Sequence, residues 1–483
     1  MNRNAVMKLI DKVYINGEFV KPDGTERMNI INPSTEELIG QVLLGNETDT
    51  RKSIAAAKEA FITYSRTSIE ERGLMLQRIH DAILSRAADL NQACMEEYGA
   101  TAKAAEFRTQ ISADSFLLAK EAMEAFEFTR HIGKAKVVFE PLGVAAAITP
   151  WNANNSQIAI KVATAISAGC TIVVKASEFS SIQTQILAEC FHDAGLPAGV
   201  VNIVYGLGTS VGAELSRNPD IALISFTGSA NTAKAIQHSA VDTMKRVVLE
   251  LGGKSANIIL DDADFTKAIP RAVTSAFGNH GQMCIAGSRL LVPEHRLDEV
   301  KELIKLAVEN TKVGYPWEND TFIGPLMNEN QYKRVQRYIK IGMEEGADLV
   351  IGGEGHPEGL EKGYFVKPTV FANVTRDMTI AREEIFGPVL SILTYRTEEE
   401  AVEIANDTEY GLGAYISSSN LEKANRIASQ LVAGTVLIND VIFEMRAPYG
   451  GFKQSGIGRE GGIYGLEEYL EPKTILSSNL EGN

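Results

Sequence analysis

From Val144 onward the chain alternates short apolar runs with longer amphipathic stretches. Five runs, VAAAIT (144–149), TIVVK (171–175), VNIVYG (201–206), IALISFTG (221–228) and RVVLELGG (246–253), have strand length and stand apart by segments long enough for a crossover helix. Runs that are apolar at nearly every position suit strands covered on both faces, so the pattern predicts an α/β fold built on a doubly wound parallel sheet. A second series, ANIIL (256–260), RLLV (289–292), ADLVIG (347–352), PVLSILTY (388–395), GAYIS (413–417) and GTVLIN (434–439), predicts a second α/β unit. Upstream the period is mostly helical. SIEERGLMLQRIHDAIL opens with Ser68 and Glu71 in capping-box spacing, helices are expected around Ser53–Phe61 and Ser112–Phe126, and VYINGEFV reads as a hairpin about Asn16-Gly17.

Two segments belong to neither series. TRHIGKAKVVFEPLG (129–143) reads as a projecting hairpin and YLEPKTILSS as a final strand. Exposed strands seek partner edges, which predicts an oligomer. The expected division is therefore one unit of residues 1–128 and 144–253, a second of 254–450, and a small β segment of 129–143 and 466–483.

Composition narrows the class of ligand. The 483 residues carry a formal net charge of −15, which excludes a polyanion binder, whether of nucleic acid or of anionic membrane. No apolar stretch reaches the roughly 20 residues needed to span a bilayer. The four cysteines, Cys94, Cys170, Cys190 and Cys284, show neither CxxC nor metal-ligand spacing, so no metal site is expected and a reducing, cytoplasmic compartment is. The partner expected is a small molecule.

Ligands of open parallel sheets bind beyond the carboxyl ends of the strands, where the unusual residues fall. Thr149-Pro150-Trp151-Asn152 follows the first run, and Lys175, Ser177 and Glu178 the second. Gly206 and Gly208 follow the third, Phe226 to Ser229 ends the fourth, and Glu250 to Gly253 ends the fifth. A lysine and a carboxylate three apart can both reach a ribose. Ser229, at the mouth of a helix, offers free N–H groups to phosphate or simply caps the helix. GLGTSVG (206–212) approximates a dinucleotide fingerprint, with its third glycine one place late. Glu250, at the end of an apolar strand, suits a general base acting on water. Asn152 offers an amide to an oxyanion, or caps a helix near Ser156. In GNHGQMCIAG (278–287), Cys284 lies among glycines and reads either as a small core residue or as a nucleophile. His280, one helical turn earlier if the stretch is helical, permits a cysteine-hydrolase reading.

Taken in order, TPWN, KASE, FTGS, LELGGKS, GQMCIAGSR, EIFGP and PYGGFKQSGIGRE resemble the signatures of the aldehyde dehydrogenase superfamily over nearly the whole chain. The resemblance implies an NAD-binding domain in the first unit, a catalytic domain in the second and an oligomerisation segment in the third, with homodimers or homotetramers. It implies Cys284 as nucleophile, Glu250 as general base, and Asn152 with the Cys284 N–H as oxyanion hole. Lys175 is counted with this catalytic set and also, with Glu178, on the adenosine ribose. Ser229 falls on the pyrophosphate, Glu384 and Phe386 on the nicotinamide riboside, and Trp151, Leu251 and Gly252 along the dinucleotide path, followed by Lys254. Thr149, Ser177, Gly208, Phe226 and Gly228 complete the cofactor surface. The implied reaction is NAD-dependent oxidation of an aldehyde through a thiohemiacetal and a thioester, hydrolysed by activated water. Acyl transfer to coenzyme A and a His280-dependent hydrolase are the alternatives. Glu178 would repel a 2′-phosphate by about 4 kcal/mol for unit charges at about 4 Å and an effective dielectric of about 20, so NAD is preferred to NADP. The sequence departs from the family pattern at Ala176 and over Ala153 to Gln157, which predicts a polar or roomy substrate tunnel walled also by Met283, Ile285, Phe443 and Arg446, and a polar or hydroxylated aromatic substrate in place of a long alkyl chain.

Overall fold

The computed structural model describes residues 7–477. All five strands of the first series are present, as Val144–Ile148, Thr171–Ala176, Val201–Tyr205, Ile221–Thr227 and Arg246–Glu250. They pair in parallel, in the order 246–250, 221–227, 144–148, 171–176, 201–205. The Val144–Ile148 strand thus has its successor in sequence on one side and the fourth strand of the series on the other, and the order reverses there. That reversal opens a crevice at the carboxyl edge, just where Thr149 to Asn152 and Gly228-Ser229 emerge. The hairpin Val13–Ile15 and Glu18–Val20 extends one side of this sheet. On the other side Gly456–Ile457 pairs antiparallel with Arg246–Glu250, so the sheet recruits residues from beyond 450.

Leu251 to Ser255 carry the chain from the last strand of this sheet straight into Ala256–Ile259 of the second. That sheet has seven strands in the order 348–351, 369–372, 389–395, 289–293, 256–259, 413–417, 435–438, parallel except for Asp348–Ile351. Thr369–Ala372, a four-residue strand that no repeated pattern marks, was not expected; it is buried throughout and lies inside the sheet. The projecting hairpin is real, as Thr129–Ile132 and Ala135–Pro141, and the final strand Leu470–Leu476 pairs with the longer arm in seven-residue register. One edge expected to seek a second copy is therefore satisfied within the chain. Residues 478–483 of that expected segment lie outside the described residues. A further small sheet, Lys8–Ile10, Leu38–Leu43 and Arg27–Ile31, lies upstream.

The Ile69–Ser85 helix begins as its sequence predicts: Ser68 Oγ accepts from the Glu71 N–H at 3.1 Å and Glu71 Oε2 accepts from the Ser68 N–H at 2.7 Å. The helices Ala102–Ala125 and Asn154–Ala168 pack on each other beside the crevice. Among the described residues no helix is long and apolar enough to cross a membrane, and no group of three or more His, Cys, Asp or Glu is placed to hold a metal ion.

Candidate active site

Cys284 lies on the loop after the Phe265–Phe277 helix, half-buried, in the crevice between the two large sheets. Its loop is held by a network that leaves it little freedom. The Gln282 carbonyl accepts from Asn152 Nδ2 and from Asn279 Nδ2, each at 2.9 Å. Gln282 Nε2 donates to Tyr98 Oη at 3.2 Å, and Tyr98 Oη donates to Asn279 Oδ1 at 2.8 Å. Gly281 has φ +70°, and a Cβ there would stand 2.2 Å from the Gly387 carbonyl carbon, so only glycine fits this approach. The glycines around Cys284 therefore mark a close backbone crossing. Burial, first of all, pushes the thiol up to about 11, with Glu384 and Glu250 adding to it and the Tyr449 hydroxyl opposing.

Asn152 does not cap the following helix. That helix starts at Asn154 without a side-chain cap, and the Asn152 amide reaches across to the Cys284 loop. Its carbonyl accepts from Arg108 at 2.6 Å, which fixes the residue from the far side. A primary amide has two N–H donors and the Gln282 carbonyl uses one, which leaves the other for a substrate oxygen.

Glu250 ends its strand 2% exposed, and neither carboxyl oxygen has a hydrogen-bond partner among the described residues. A side-chain carbon at Gly450 would lie 2.6 Å from Glu250 Oε1, so the carboxyl rests against the backbone beside Tyr449. Burial raises its pKa well above the usual carboxylate range, and the Glu460 carboxylate adds to this against the pull of Lys161 and Arg459. Glu460 is itself ion-paired with the fully buried Lys161, which also reaches Ser225 Oγ at 3.0 Å. Sequence reading missed Lys161 and Glu460. The signal was a lysine inside the apolar run IAIKVATAI, which must find an anion when buried.

The strand-end residues expected on the cofactor side gather along the carboxyl edge of the first sheet. Lys175 Nζ meets Glu178 Oε2 at 2.8 Å, both largely shielded from solvent. Ser177 Oγ accepts from the Phe179 N–H at 3.3 Å. Ser229 caps the Ala230–Ala240 helix, accepting from Thr232 N–H at 3.3 Å. Gly208 starts a short π-helical turn with open space where a Cβ would project, and Phe226 lies under Gly228. Trp151 and Phe386 meet edge to face, ring centroids 5.5 Å apart. Leu251 is buried, and a Cβ on Gly252 would strike Glu384 Oε2 at 2.3 Å. Glu384 accepts from the Gly253 N–H at 3.2 Å, and burial raises it to about 7. Beside it the buried Lys254 ammonium has no hydrogen bond among the described residues and is lowered to about 7, also by burial. Thr149 Oγ1 is likewise buried without a partner. Orphaned polar atoms, a carboxylate–ammonium pair at a strand end and a helix N-terminus along this edge are groups of the kind able to hold a dinucleotide.

Three expectations need correction. The stretch from His280 to Cys284 is not a helical turn: Asn279 and His280 have φ of 52° and 61°, which breaks the register that would align the two side chains. His280 Nδ1 instead accepts from the Gly324 N–H at 2.7 Å, its ring lies against Tyr98, and burial lowers it to about 3, so it is a neutral, structural histidine. Asn154 and Asn155 are buried; Asn154 donates to Thr184 Oγ1 at 3.0 Å, and only Ser156 and Gln157 of that stretch face the substrate cavity. Arg446 does not line this cavity but pairs with Glu121 at 3.0 Å on the Ala102–Ala125 helix, and Met283 is also absent from the wall. Ile285 and Phe443 are on it, as expected.

That cavity has a volume of about 500 Å³. The Ala102–Ala125 helix contributes Ile111, Ser115 and Leu118, the Asn154–Ala168 helix Gln157 and Ile160, and the 435–449 segment Phe443 and Tyr449. Tyr449, which lines the cavity, places its Oη 3.4 Å from Cys284 Sγ, so the thiol lies just behind the cavity wall.

A thiol beside a cavity, an amide held on its loop and a buried carboxyl nearby are groups able to act on a carbonyl carbon. The family profile described as "Aldehyde dehydrogenase family" matches residues 19–475, and the chain belongs to this family. A 3-succinoylsemialdehyde-pyridine dehydrogenase from Pseudomonas sp is 46% identical over 465 residues, 96% of this chain and 98% of that one. A cysteine-to-alanine mutant of an aldehyde dehydrogenase from Pseudomonas syringae, solved with NAD+ and octanal, superposes with a TM-score of 0.95 at 44% identity over 98% of this chain and 97% of that one. A betaine aldehyde dehydrogenase from Staphylococcus aureus, solved with NAD+, gives 0.94 at 35% identity over 98% and 95%.

Proposed function

We propose that this aldehyde dehydrogenase oxidises a compact polar or aromatic aldehyde to the carboxylic acid, with Cys284 as nucleophile and NAD as hydride acceptor. The observation that carries the reading is that Cys284, whose loop the Asn152 amide holds, stands 3.4 Å from the hydroxyl of the cavity residue Tyr449, with the Glu250 carboxyl against the adjacent Gly450. The crevice of the first sheet takes NAD, with Lys175 and Glu178 on the adenosine ribose, Ser229 at the pyrophosphate and Glu384 with Phe386 at the nicotinamide riboside. Thr149, Trp151, Ser177, Gly208, Phe226, Gly228, Leu251 and Gly252 complete its path. When bound, NAD supplies the acceptor for the hydride lost by the substrate carbon.

The protein's own groups do the rest. The Cys284 thiolate lone pair forms the C–S bond while the carbonyl π electrons move to oxygen, and the free Asn152 N–H with the Cys284 N–H stabilises that oxygen. After oxidation a thioester remains on Cys284. Glu250, with no hydrogen bond to break, takes a proton from water as the water adds to the thioester, and the acid leaves with the thiol restored. An activated-water base competes with an external thiol, which argues against acyl transfer to coenzyme A.

Ser115, Ser156 and Gln157 among the apolar wall residues favour a substrate with hydrogen-bonding groups. The Pseudomonas relative, by its name, acts on a semialdehyde carrying a pyridine ring, and the Pseudomonas syringae structure holds octanal. A panel of hydroxylated benzaldehydes, semialdehydes and octanal with NAD and NADP tests the reading. Higher kcat/KM for the first two classes with NAD supports it, and a strong preference for octanal overturns the substrate class. The exposed strand Leu470–Leu476, whose Leu476 is 73% exposed, supports assembly into a homodimer or homotetramer, checked by light scattering. Four free cysteines support a reducing, cytoplasmic location.

A further inference from the structure

The hydroxyl of Tyr449 makes one hydrogen-bond contact among the described residues, and that contact is Cys284 Sγ at 3.4 Å. The residue is firmly placed. Its N–H donates to the Glu460 carbonyl at 2.7 Å and its carbonyl accepts from the Glu460 N–H at 2.8 Å, forming an isolated β-bridge. Its ring meets Phe443 edge to face at 6.2 Å. The next residue, Gly450, abuts the Glu250 carboxyl, so one dipeptide touches both the thiol and the base.

We propose that Tyr449 is a positioning residue for the nucleophile, its phenolic hydroxyl donating to Cys284 Sγ and holding the sulfur beside the substrate cavity. The proposal rests on Cys284 being the nucleophile. The groups facing the thiol are Glu250 from the first sheet, Glu384 from the loop after the Thr379–Arg382 helix, Tyr415 from the Gly413–Ser417 strand, and Tyr449. The two carboxylates disfavour a thiolate electrostatically. Tyr449 and the Cys284 N–H favour it, and Tyr449 stays protonated because burial raises its own pKa well above the usual phenol value. A donor to the ionised sulfur is worth most before the C–S bond forms, because the sulfur gives up its charge in that step. Tyr449 therefore increases the thiolate fraction and, as a stabilised thiolate is less nucleophilic, returns part of that gain in intrinsic reactivity.

The test compares the wild type with Tyr449→Phe, using Cys284→Ala to subtract the other thiols. Thiolate is read by its absorbance near 240 nm as pH rises, and reactivity by the rate of exchange with 4,4′-dithiodipyridine. The expected result is a Cys284 thiolate fraction at least threefold lower in Tyr449→Phe at the pH of half-ionisation of the wild type or below. The exchange rate should fall by less: a tenfold loss of thiolate is offset about threefold by higher nucleophilicity at a Brønsted slope of about 0.5. Equal thiolate fractions overturn the proposal. So does a rate loss without a thiolate loss, which marks altered access, and so does a variant that melts before it can be titrated, which places the hydroxyl in stability. If Cys284→Ala removes neither fast-reacting thiol nor activity, the assignment of the nucleophile itself fails, a separate outcome.

Discussion

Replacing Glu250 by Gln should divide the reaction in two. The carboxyl is buried and neither oxygen is hydrogen-bonded among the described residues, so an isosteric amide breaks no hydrogen bond there. In the proposed mechanism attack on the aldehyde uses Cys284 and Asn152 and is left intact. Loss of a general base costs typically about 100- to 10,000-fold in rate, or about 2.7 to 5.4 kcal/mol on the barrier. Rapid mixing with NAD and an oxidisable aldehyde should therefore give a burst of about one NADH per active site, followed by a steady rate lower by that factor. The pH dependence has a definite sign. Burial raises Glu250 far above its ordinary value, so its ionised, proton-accepting fraction grows with pH, and wild-type turnover should climb through a range above that of an ordinary glutamate while the variant stays flat. Stability moves the opposite way. A carboxyl whose folded pKa exceeds the unfolded one binds more protons when folded, so its contribution is full below the unfolded pKa and is lost as pH rises through the folded pKa. The Gln variant lacks that loss and should gain in relative melting temperature as pH rises. An unchanged turnover, or a burst lost together with the steady rate, would refute the role assigned to Glu250.

Cys284→Ala should lose about 1,000-fold or more in aldehyde oxidation yet bind NAD as before by calorimetry, because the groups proposed to hold NAD do not include the sulfur. Glu178→Ser should weaken NAD and improve NADP, narrowing the ratio of their kcat/KM values by at least tenfold, since the repulsion removed is on the order of 4 kcal/mol before screening. Arg446→Ala removes an exposed ion pair to Glu121, so unfolding free energy should change by less than about 1 kcal/mol in a denaturant titration. The same variant should alter KM for bulky aldehydes, because that pair ties the segment next to the cavity-lining residues 442–445 to the Ala102–Ala125 helix.

Much of this was legible because the physics that shapes strands is local. Runs such as TIVVK declare a strand buried on both faces whatever lies next to them, and the residue after each run falls at the carboxyl edge by construction. The capping box at Ser68 and Glu71 is equally local. What sequence reasoning could not place depended on contacts between distant segments. Tyr449 meets Cys284 across 165 positions and Lys161 meets Glu460 across 299, and neither pairing leaves a periodic trace. His280 misled because four-residue spacing implies proximity only in a helix, and two positive φ angles remove the helix. Asn154 and Asn155 misled because polarity was read as exposure to the cavity, whereas both are buried and Asn154 Nδ2 donates to Thr184 inside the fold.

The central claim is that Cys284 carries the acyl group between oxidation and hydrolysis. Mixing Glu250→Gln with NAD and an aldehyde substrate, quenching in acid within the burst and mapping the peptides by mass spectrometry tests it most directly. The account predicts one acyl group per chain on the peptide containing Cys284, formed only when both NAD and aldehyde are present. A burst of NADH with that peptide unmodified, or with the acyl group on another residue, would contradict it.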